Sequence, residues 1–316
     1  MTINFLRRIA AHLPGVKRIF ADRDRLQNEL GRLGHPPGHF YSPIPDLDEV
    51  NKRFAMLESQ QVVEIPGVDL NIEEQERWVH TLAAYYPDQT FPKNKSKDHR
   101  YYFNNRMFRE SDALFLYGLM RAVQPARVVE VGSGFSSAVM LDTNEKFLEN
   151  APSFTFIDPH PERLLGLLSD CEQKTVEIID RRVQEATSRP WESLQSGDIL
   201  FIDSSHVSKC GSDVNFLFNE VIPGLSDGVY VHVHDVSYPF EYPKSWLTER
   251  HWAWNEAYLL RAFLQFNMRF KIIAWVPFIN LTMSELVTKQ MPLCRNDHGG
   301  SFWMQKAHCD VSRWQT

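Results

Sequence analysis

Five short apolar runs recur along the middle of this chain, at residues 128–131, 154–157, 176–179, 199–202 and 229–233. Each has the length and the Val, Ile and Phe content of a strand buried on both faces. The intervals between them carry helical periodicity, as at 136–148 and 213–221, where apolar residues return every three or four positions. A strand followed by a helix and then by another strand is joined through a crossover, so successive strands run parallel and helices cover both faces. A further helix at 255–266 and strands at 270–276 and 301–305 extend the pattern. The expected fold is α/β, with a doubly wound, mostly parallel sheet.

The first strand ends in Glu130-Val131-Gly132-Ser133-Gly134 and feeds directly into the 136–148 helix. Glycines there let the chain turn through backbone angles closed to other residues, and let a ligand approach the main chain. The second strand ends at Asp158, whose carboxylate suits the hydroxyls of a ribose. Strand, glycine turn, helix, strand and terminal acid in that order indicate a nucleotide or nucleoside site. No Lys-Ser/Thr pair follows the turn, which excludes a P-loop, and Ser137 stands where a dinucleotide fold usually has a third glycine or alanine. Glu130 adds a negative charge that would repel a pyrophosphate and favour a cationic ligand.

The N-terminal part has another character. Arg7, Arg8, Lys17, Arg18, Arg23, Arg25 and Arg32 outnumber Asp22, Asp24 and Glu29, while Ile19, Leu26, Leu30 and Leu33 fall at coiled-coil-like spacing. This describes a short amphipathic helix that docks on the body or on a partner subunit such as a second copy of the chain, with a membrane surface as the lesser alternative. The Pro- and Gly-containing stretch 34–45 excludes regular helix, and helical patterns return at 72–86 and 111–123. Three segments are expected: a helical arm at 1–34, a helical and loop extension covering the cleft at 35–124, and a catalytic domain at 125–316.

Composition limits the partners. A formal net charge of −6 argues against a nucleic-acid surface, and no apolar stretch approaches the ~20 residues that span a bilayer. Cys171, Cys210, Cys294 and Cys309 form no CxxC pair, and no secretory signal pattern opens the chain. A cytoplasmic protein with reduced thiols and a small-molecule partner is expected.

The run Val129 to Ser137, the strand end Phe156-Ile157-Asp158, the strand end Leu200-Phe201-Ile202-Asp203-Ser204-Ser205-His206 and the strand end Val231-His232-Val233-His234-Asp235 resemble class I S-adenosylmethionine-dependent methyltransferases. The resemblance is closest to small-molecule O-methyltransferases of the macrocin-type, sugar-modifying group, and it spans residues 127–306. It implies a seven-stranded sheet with an antiparallel last strand, S-adenosylmethionine as methyl donor, and a hydroxyl of a sugar or sugar-bearing intermediate as acceptor. Transferred residue by residue, it sets Glu130, Gly132 and Gly134 around the methionine end, Asp158 at the ribose, and Val183 with Gln184 at the adenine. Ser136 would hydrogen-bond the donor or cap its helix. Asn104 and Asn105 would reach the ligand from upstream.

Asp203, His206, His234 and Asp235 all follow strand ends, where ligands of open α/β sheets bind. Three uses of this cluster are open. Asp203 and Asp235 could hold a divalent metal such as magnesium, as carboxylates at these strand ends do in the group resembled, although Asp-Ser-Ser-His after the fourth strand departs from that pattern. His206 or His234 could act as general base without a metal. Or His232 and His234 are ordinary strand residues and Asp203 caps the next helix. Downstream, Pro- and aromatic-rich residues 238–246 read as a loop, with Glu241, Tyr242 and Trp246 as acceptor-lining candidates. Trp252, Trp254 and Asn255 join them. Two other functions use the same motifs: an NAD-dependent oxidoreductase, which lacks here a well-placed Tyr-x-x-x-Lys pair, and a non-catalytic binding module on a methyltransferase fold.

Overall fold

The computed structural model describes residues 14–31, 34–59 and 64–307; Arg7, Arg8, Arg32, Leu33 and Cys309 lie outside them. Seven strands form the sheet: β1 (Arg127–Val131), β2 (Ser153–Ile157), β3 (Glu177–Ile179), β4 (Ile199–Ile202), β5 (Tyr230–Val233), β6 (Phe270–Trp275) and β7 (Phe302–Lys306). Their order is β3-β2-β1-β4-β5-β7-β6. β1 pairs in parallel with both β2 and β4, and β7 runs antiparallel between β5 and β6. The chain therefore winds outward from β1 in one direction through β2 and β3, then returns to lay β4 and β5 on the other side. A crevice opens where that direction reverses, beyond the carboxyl ends of β1 and β4.

The α-helices of four or more residues, in chain order, are α1 (Pro14–Gly31), α2 (Leu47–Ser59), α3 (Ile72–Ala83), α4 (Glu110–Val123), α5 (Phe135–Phe147), α6 (Glu162–Leu165), α7 (Asp213–Phe216), α8 (Lys244–Thr248), α9 (Glu256–Leu264), α10 (Val276–Thr282) and α11 (Ser284–Gln290). The expected 213–221 helix is split, since α7 passes into a π-turn at Leu217–Val221. The loop expected at 238–246 is shorter than the sequence suggested. Pro243 precedes α8, a position where its missing N–H costs nothing, and Trp246 lies inside that helix. None of the described helices is long and apolar enough to cross a membrane.

The chain divides into two compact units, Met1–Gln61 with Lys244–Ala253, and Val62–Pro243 with Trp254–Thr316. In the smaller one α8 packs on α2, where Val50 and Leu247 are buried. Along α1, Ile19, Leu26 and Leu30 are exposed. In the larger unit the sheet supplies the core, with all four residues of β4 fully buried. Burial on both faces explains the unbroken Ile-Leu-Phe-Ile run. α4 packs on α5 and α3, and α3 is tied to the sheet by Gln75, whose Nε2 donates to Leu70 O (2.6 Å) while its Oε1 accepts from Trp275 N (2.8 Å).

Candidate active site

The glycine turn is held between two strand ends. Gly132 N–H donates to Ile157 O of β2 (2.9 Å), and Asp203 N–H donates to Val131 O of β1 (2.8 Å). Gly132 sits at φ +81°, and a Cβ there would lie 2.0 Å from the Asp203 carbonyl oxygen. Both the angle and the contact require glycine.

Glu130 does not reach the crevice. Its side chain is fully buried beneath the turn, where Ser136 Oγ donates to one carboxylate oxygen and Ser137 Oγ to the other, each at 2.5 Å. Burial pushes its pKa up to about 8, with the two serine hydroxyls opposing the rise. The charge argument made from the sequence therefore changes. Glu130 shapes the turn from below, and the Ser136 hydroxyl donates to Glu130. Ser137, noted in the sequence only for not being glycine, also accepts from Gly134 N–H (2.9 Å) and so closes the turn.

Asp158 stays at the mouth of the crevice and braces the turn from the other side. Its Oδ2 accepts from Ser133 N (2.8 Å) and Ser133 Oγ (2.9 Å), and its Oδ1 accepts from His160 N (2.8 Å). Each oxygen has two lone pairs, so capacity remains for a ligand hydroxyl. The crevice has a volume of about 520 Å³ and is lined by Gly132, Asp158, Val183, Gln184 and Asp203. That is the size of a small-molecule site. Gln184 Nε2 donates to Gly211 O (2.9 Å), while its Oε1 is buried without a partner. Arg163, Arg182 and Lys209 add positive charge to the wall. Arg163, on α6, comes so near the turn that a Cβ on Gly134 would meet its Cδ at 3.0 Å.

Asp203 links this crevice to the acid and histidine cluster. His206 Nε2 lies 3.3 Å from Asp203 Oδ1 and 3.6 Å from Asp235 Oδ2, and its Nδ1 lies 2.9 Å from Glu256 Oε2. Burial works against a charge on this ring, but its hydrogen bonds to the Asp203 and Glu256 carboxylates outweigh it and raise the His206 pKa well above the ordinary value. A carboxylate stands beside each ring nitrogen, a placement that favours the protonated ring over a free base. His234 Nε2 is 3.8 Å from Asp235 Oδ1, beyond hydrogen-bond reach. Burial lowers the pKa of His234, yet Asp235 and Asp203 give it a net rise. His232 shares its face, as alternation requires, and is a core residue: it stacks on Phe201 at 3.7 Å, its Nε2 lies 3.0 Å from Ser301 Oγ, and burial drives its pKa well down. Asp235 is raised by burial, against the lowering effect of the two histidines.

The described residues do not support the metal reading. His206 Nε2 lies beside both Asp203 and Asp235, and among the described residues no group of three or more His, Cys, Asp or Glu has a metal-holding geometry.

The other expectations divide. Tyr242 is buried and its hydroxyl already accepts from Ala257 N (3.0 Å), so it packs the loop down. Glu241 Oε2 accepts from Tyr258 OH (3.0 Å). Trp246 and Trp252 belong to the smaller unit, where their rings meet edge to face at 5.3 Å. Trp254 lies 4.3 Å from the His206 ring, and Asn255 N donates to His206 O (3.0 Å). Asn105 is a local staple, donating to Tyr102 O and Phe108 O, and Asn104 Nδ2 donates to Asn94 Oδ1 (3.0 Å). Neither points to a ligand. Two residues escaped the sequence altogether. Glu256 stands fifty positions from His206 and reads only as an acid in a helix's first turn. Asp112, buried in α4, accepts from Gly300 N and Ser301 N and so holds the chain entering β7 beside Asp235.

Residues 129–236 match a family profile described as a methyltransferase domain. An uncharacterized protein of Archaeoglobus fulgidus is 34% identical over 184 residues, which is 56% of this chain and 80% of that protein. Among solved structures, the S-adenosylhomocysteine-bound methyltransferase PaMTH1 of Podospora anserina is similar at 14% identity and a TM-score of 0.41, covering 84% of this chain and 98% of its own. The O-methyltransferase TomG of Streptomyces achromogenes, involved in tomaymycin synthesis and in complex with S-adenosylmethionine, is 14% identical with a TM-score of 0.42, covering 74% of this chain and 99% of its own.

Proposed function

We infer that this chain, whose residues 129–236 match a methyltransferase-domain profile, is a class I S-adenosylmethionine-dependent methyltransferase that transfers the sulfonium methyl group to a hydroxyl oxygen of a small molecule, with a sugar or a sugar-bearing intermediate as the acceptor class. The observation that carries this reading is the crevice of about 520 Å³ in which Gly132, Asp158, Val183, Gln184 and Asp203 share one wall. Asp158 accepts hydrogen bonds from the ribose, Val183 and Gln184 hold the adenine, and the Gly132–Gly134 backbone faces the methionine portion. Asp203 supplies negative charge beside the sulfonium, as an ionised carboxylate stabilises a cation in a partly dry site.

Methyl transfer is an in-line displacement. The acceptor oxygen forms the new C–O bond, the C–S bond breaks with its electron pair passing to sulfur, and the hydroxyl proton leaves to a base. Alignment of oxygen, methyl and sulfur supplies most of the acceleration. Because both nitrogens of His206 face carboxylates, the base is assigned to Asp235, a partly exposed carboxylate whose raised pKa suits proton uptake.

Calorimetric titration with S-adenosylhomocysteine beside NAD tests the donor. Micromolar or tighter binding of the homocysteine nucleoside is expected, and a tight NAD isotherm with no response to S-adenosylhomocysteine would overturn the reading. Methyl-labelled donor offered with a panel of free sugars, nucleotide sugars and phenols tests the acceptor class.

A further inference from the structure

Two carboxyl side chains meet where the segment leading into β7 crosses the first turn of α4. The Asp297 side chain bonds to that of Glu110, and each residue has one buried oxygen that no hydrogen-bond donor reaches, Asp297 Oδ1 and Glu110 Oε2. Ionised carboxylate oxygens only accept, so two of them are satisfied together when one proton lies between them. The other oxygen of Asp297 accepts from Ser111 N (3.2 Å). Four titratable neighbours face the pair. Arg109 Nε lies 3.3 Å from Glu110 Oε2, and Asp112 adds a second negative charge. The Cys294 thiol and the Tyr101 hydroxyl are both pushed up by burial and stay neutral. With the guanidinium beside Glu110, the charge of the pair belongs on Glu110 and the proton on Asp297. Burial, and next the Asp112 charge, push the Asp297 carboxyl up to about 7.

We propose that Asp297 and Glu110 share this proton as a pH-sensitive clasp, which fixes the strap 297–301 on α4 while the proton is present and loosens it when the proton leaves. The strap has other ties. Asn280 Nδ2 donates to His298 O (3.1 Å), Ser111 Oγ donates to Cys294 O just ahead of the strap (2.9 Å), and Asp112 accepts from Gly300 N (2.9 Å) and Ser301 N (2.8 Å). The clasp adds a bond that exists only with its proton. Without it, two like charges stand together beside Asp112 in a poorly solvated place, and they repel. The folded-state value of Asp297 lies above its ordinary 3.8. The clasp's contribution is therefore complete below the ordinary value and is lost as the pH rises through about 7. The strap also walls the acid cluster. Gly300 O accepts from Val236 N (2.9 Å), and a Cβ on Gly300 would lie 3.2 Å from Asp235 Oδ1. A loosened strap frees the surface on which Asp235 is packed.

The clasp stands on the contacts of this pair, and only its consequence for turnover rests on the methyl-transfer reading, so the test uses no substrate. Hydrogen exchange at the Gly300 and Ser301 amides, corrected for the intrinsic rate at each pH, reads the strap, while the β4 amides read the fold as a whole. Between about pH 5 and 8, strap protection is expected to fall roughly 10- to 100-fold more than that of β4. Asp297→Asn keeps an oxygen for Ser111 N and gives Glu110 a permanent donor. Its strap is expected to hold its protection across this range. Glu110→Gln offers Asp297 the same kind of donor and serves if the first variant does not fold. At about pH 6, where an ordinary carboxyl is ionised, the infrared difference between wild type and Asp297→Asn is expected to show one protonated carboxyl lost. Strap protection that follows β4 at every pH, a folded variant with the wild-type pH dependence, or a difference spectrum that loses a carboxylate band instead would each overturn the proposal. Absence of any methyl transfer alongside the expected exchange result would count against the proposed function and leave the clasp standing.

Discussion

Gly132 and Asp203 approach so closely that a Cβ on the first would lie 2.0 Å from the carbonyl oxygen of the second. One residue begins the donor turn and the other begins the acid cluster, so this contact fixes the two halves of the site relative to each other. Gly132→Ala must push β1 and β4 apart at their carboxyl ends and also adopt φ +81°. A stability loss of about 3 kcal/mol or more is expected, combining strain with overpacking. Chemical denaturation measures it, and a variant within about 0.5 kcal/mol of wild type would show that the turn can move as a unit.

Glu130→Gln reports on the buried acid. The folded-state pKa of about 8 exceeds the ordinary 4.5, so the stability this group contributes is complete below the ordinary value and is lost as the pH rises through about 8. The amide has no such proton. Between about pH 5 and 9 the wild-type melting temperature is expected to fall more steeply than that of Glu130→Gln. Parallel profiles would mean that Glu130 is ionised in the fold across this range.

Arg163 lies on the crevice wall beside Gly134, where the proposed function sets the donor's amino-acid portion, and a guanidinium there suits its carboxylate. Arg163→Ala is expected to weaken S-adenosylhomocysteine by roughly 10- to 100-fold. It should leave 5′-methylthioadenosine, which lacks the carboxylate, nearly unchanged. Equal losses for both ligands would place Arg163 at the nucleoside instead.

Asp158 has a double duty, bracing Ser133 and facing the crevice. Asp158→Ala therefore should lower both the melting temperature of the free protein and the affinity for the donor. Ser133→Ala, which removes one hydroxyl, should cost about 1 kcal/mol of stability with a smaller effect on binding. Asp158→Ala that binds S-adenosylhomocysteine as wild type does would remove it from the donor site.

The strands were legible because a doubly buried strand has to be apolar along its whole length. Residues 199–202 were expected and observed with the same ends, and Phe302–Lys306 is displaced by one residue from the expected 301–305. The π-turn at Leu217–Val221 was not legible, since its apolar spacing also satisfies an ordinary helix. At residues 238–246 the prolines were read as breakers throughout, whereas Pro243 stands just before a helix start.

For the site, the sequence by itself determined the strand-end positions of Gly132, Asp158, Asp203 and Asp235, because chain direction and strand length place them at one edge of the sheet. It also determined the need for glycine at the turn, which is a local backbone property. Only the tertiary structure decided what the polar side chains do. Whether Glu130 faces a ligand or the core, whether His206 takes a proton or holds one, and whether two aspartates bind a metal depend on which distant groups fold against them. Ser136 and Ser137 hold Glu130 in the core, and Glu256 stands against His206, through contacts of 2.5 to 2.9 Å. A charge's role is set by neighbours in space, and the order of residues along a strand or helix does not record them.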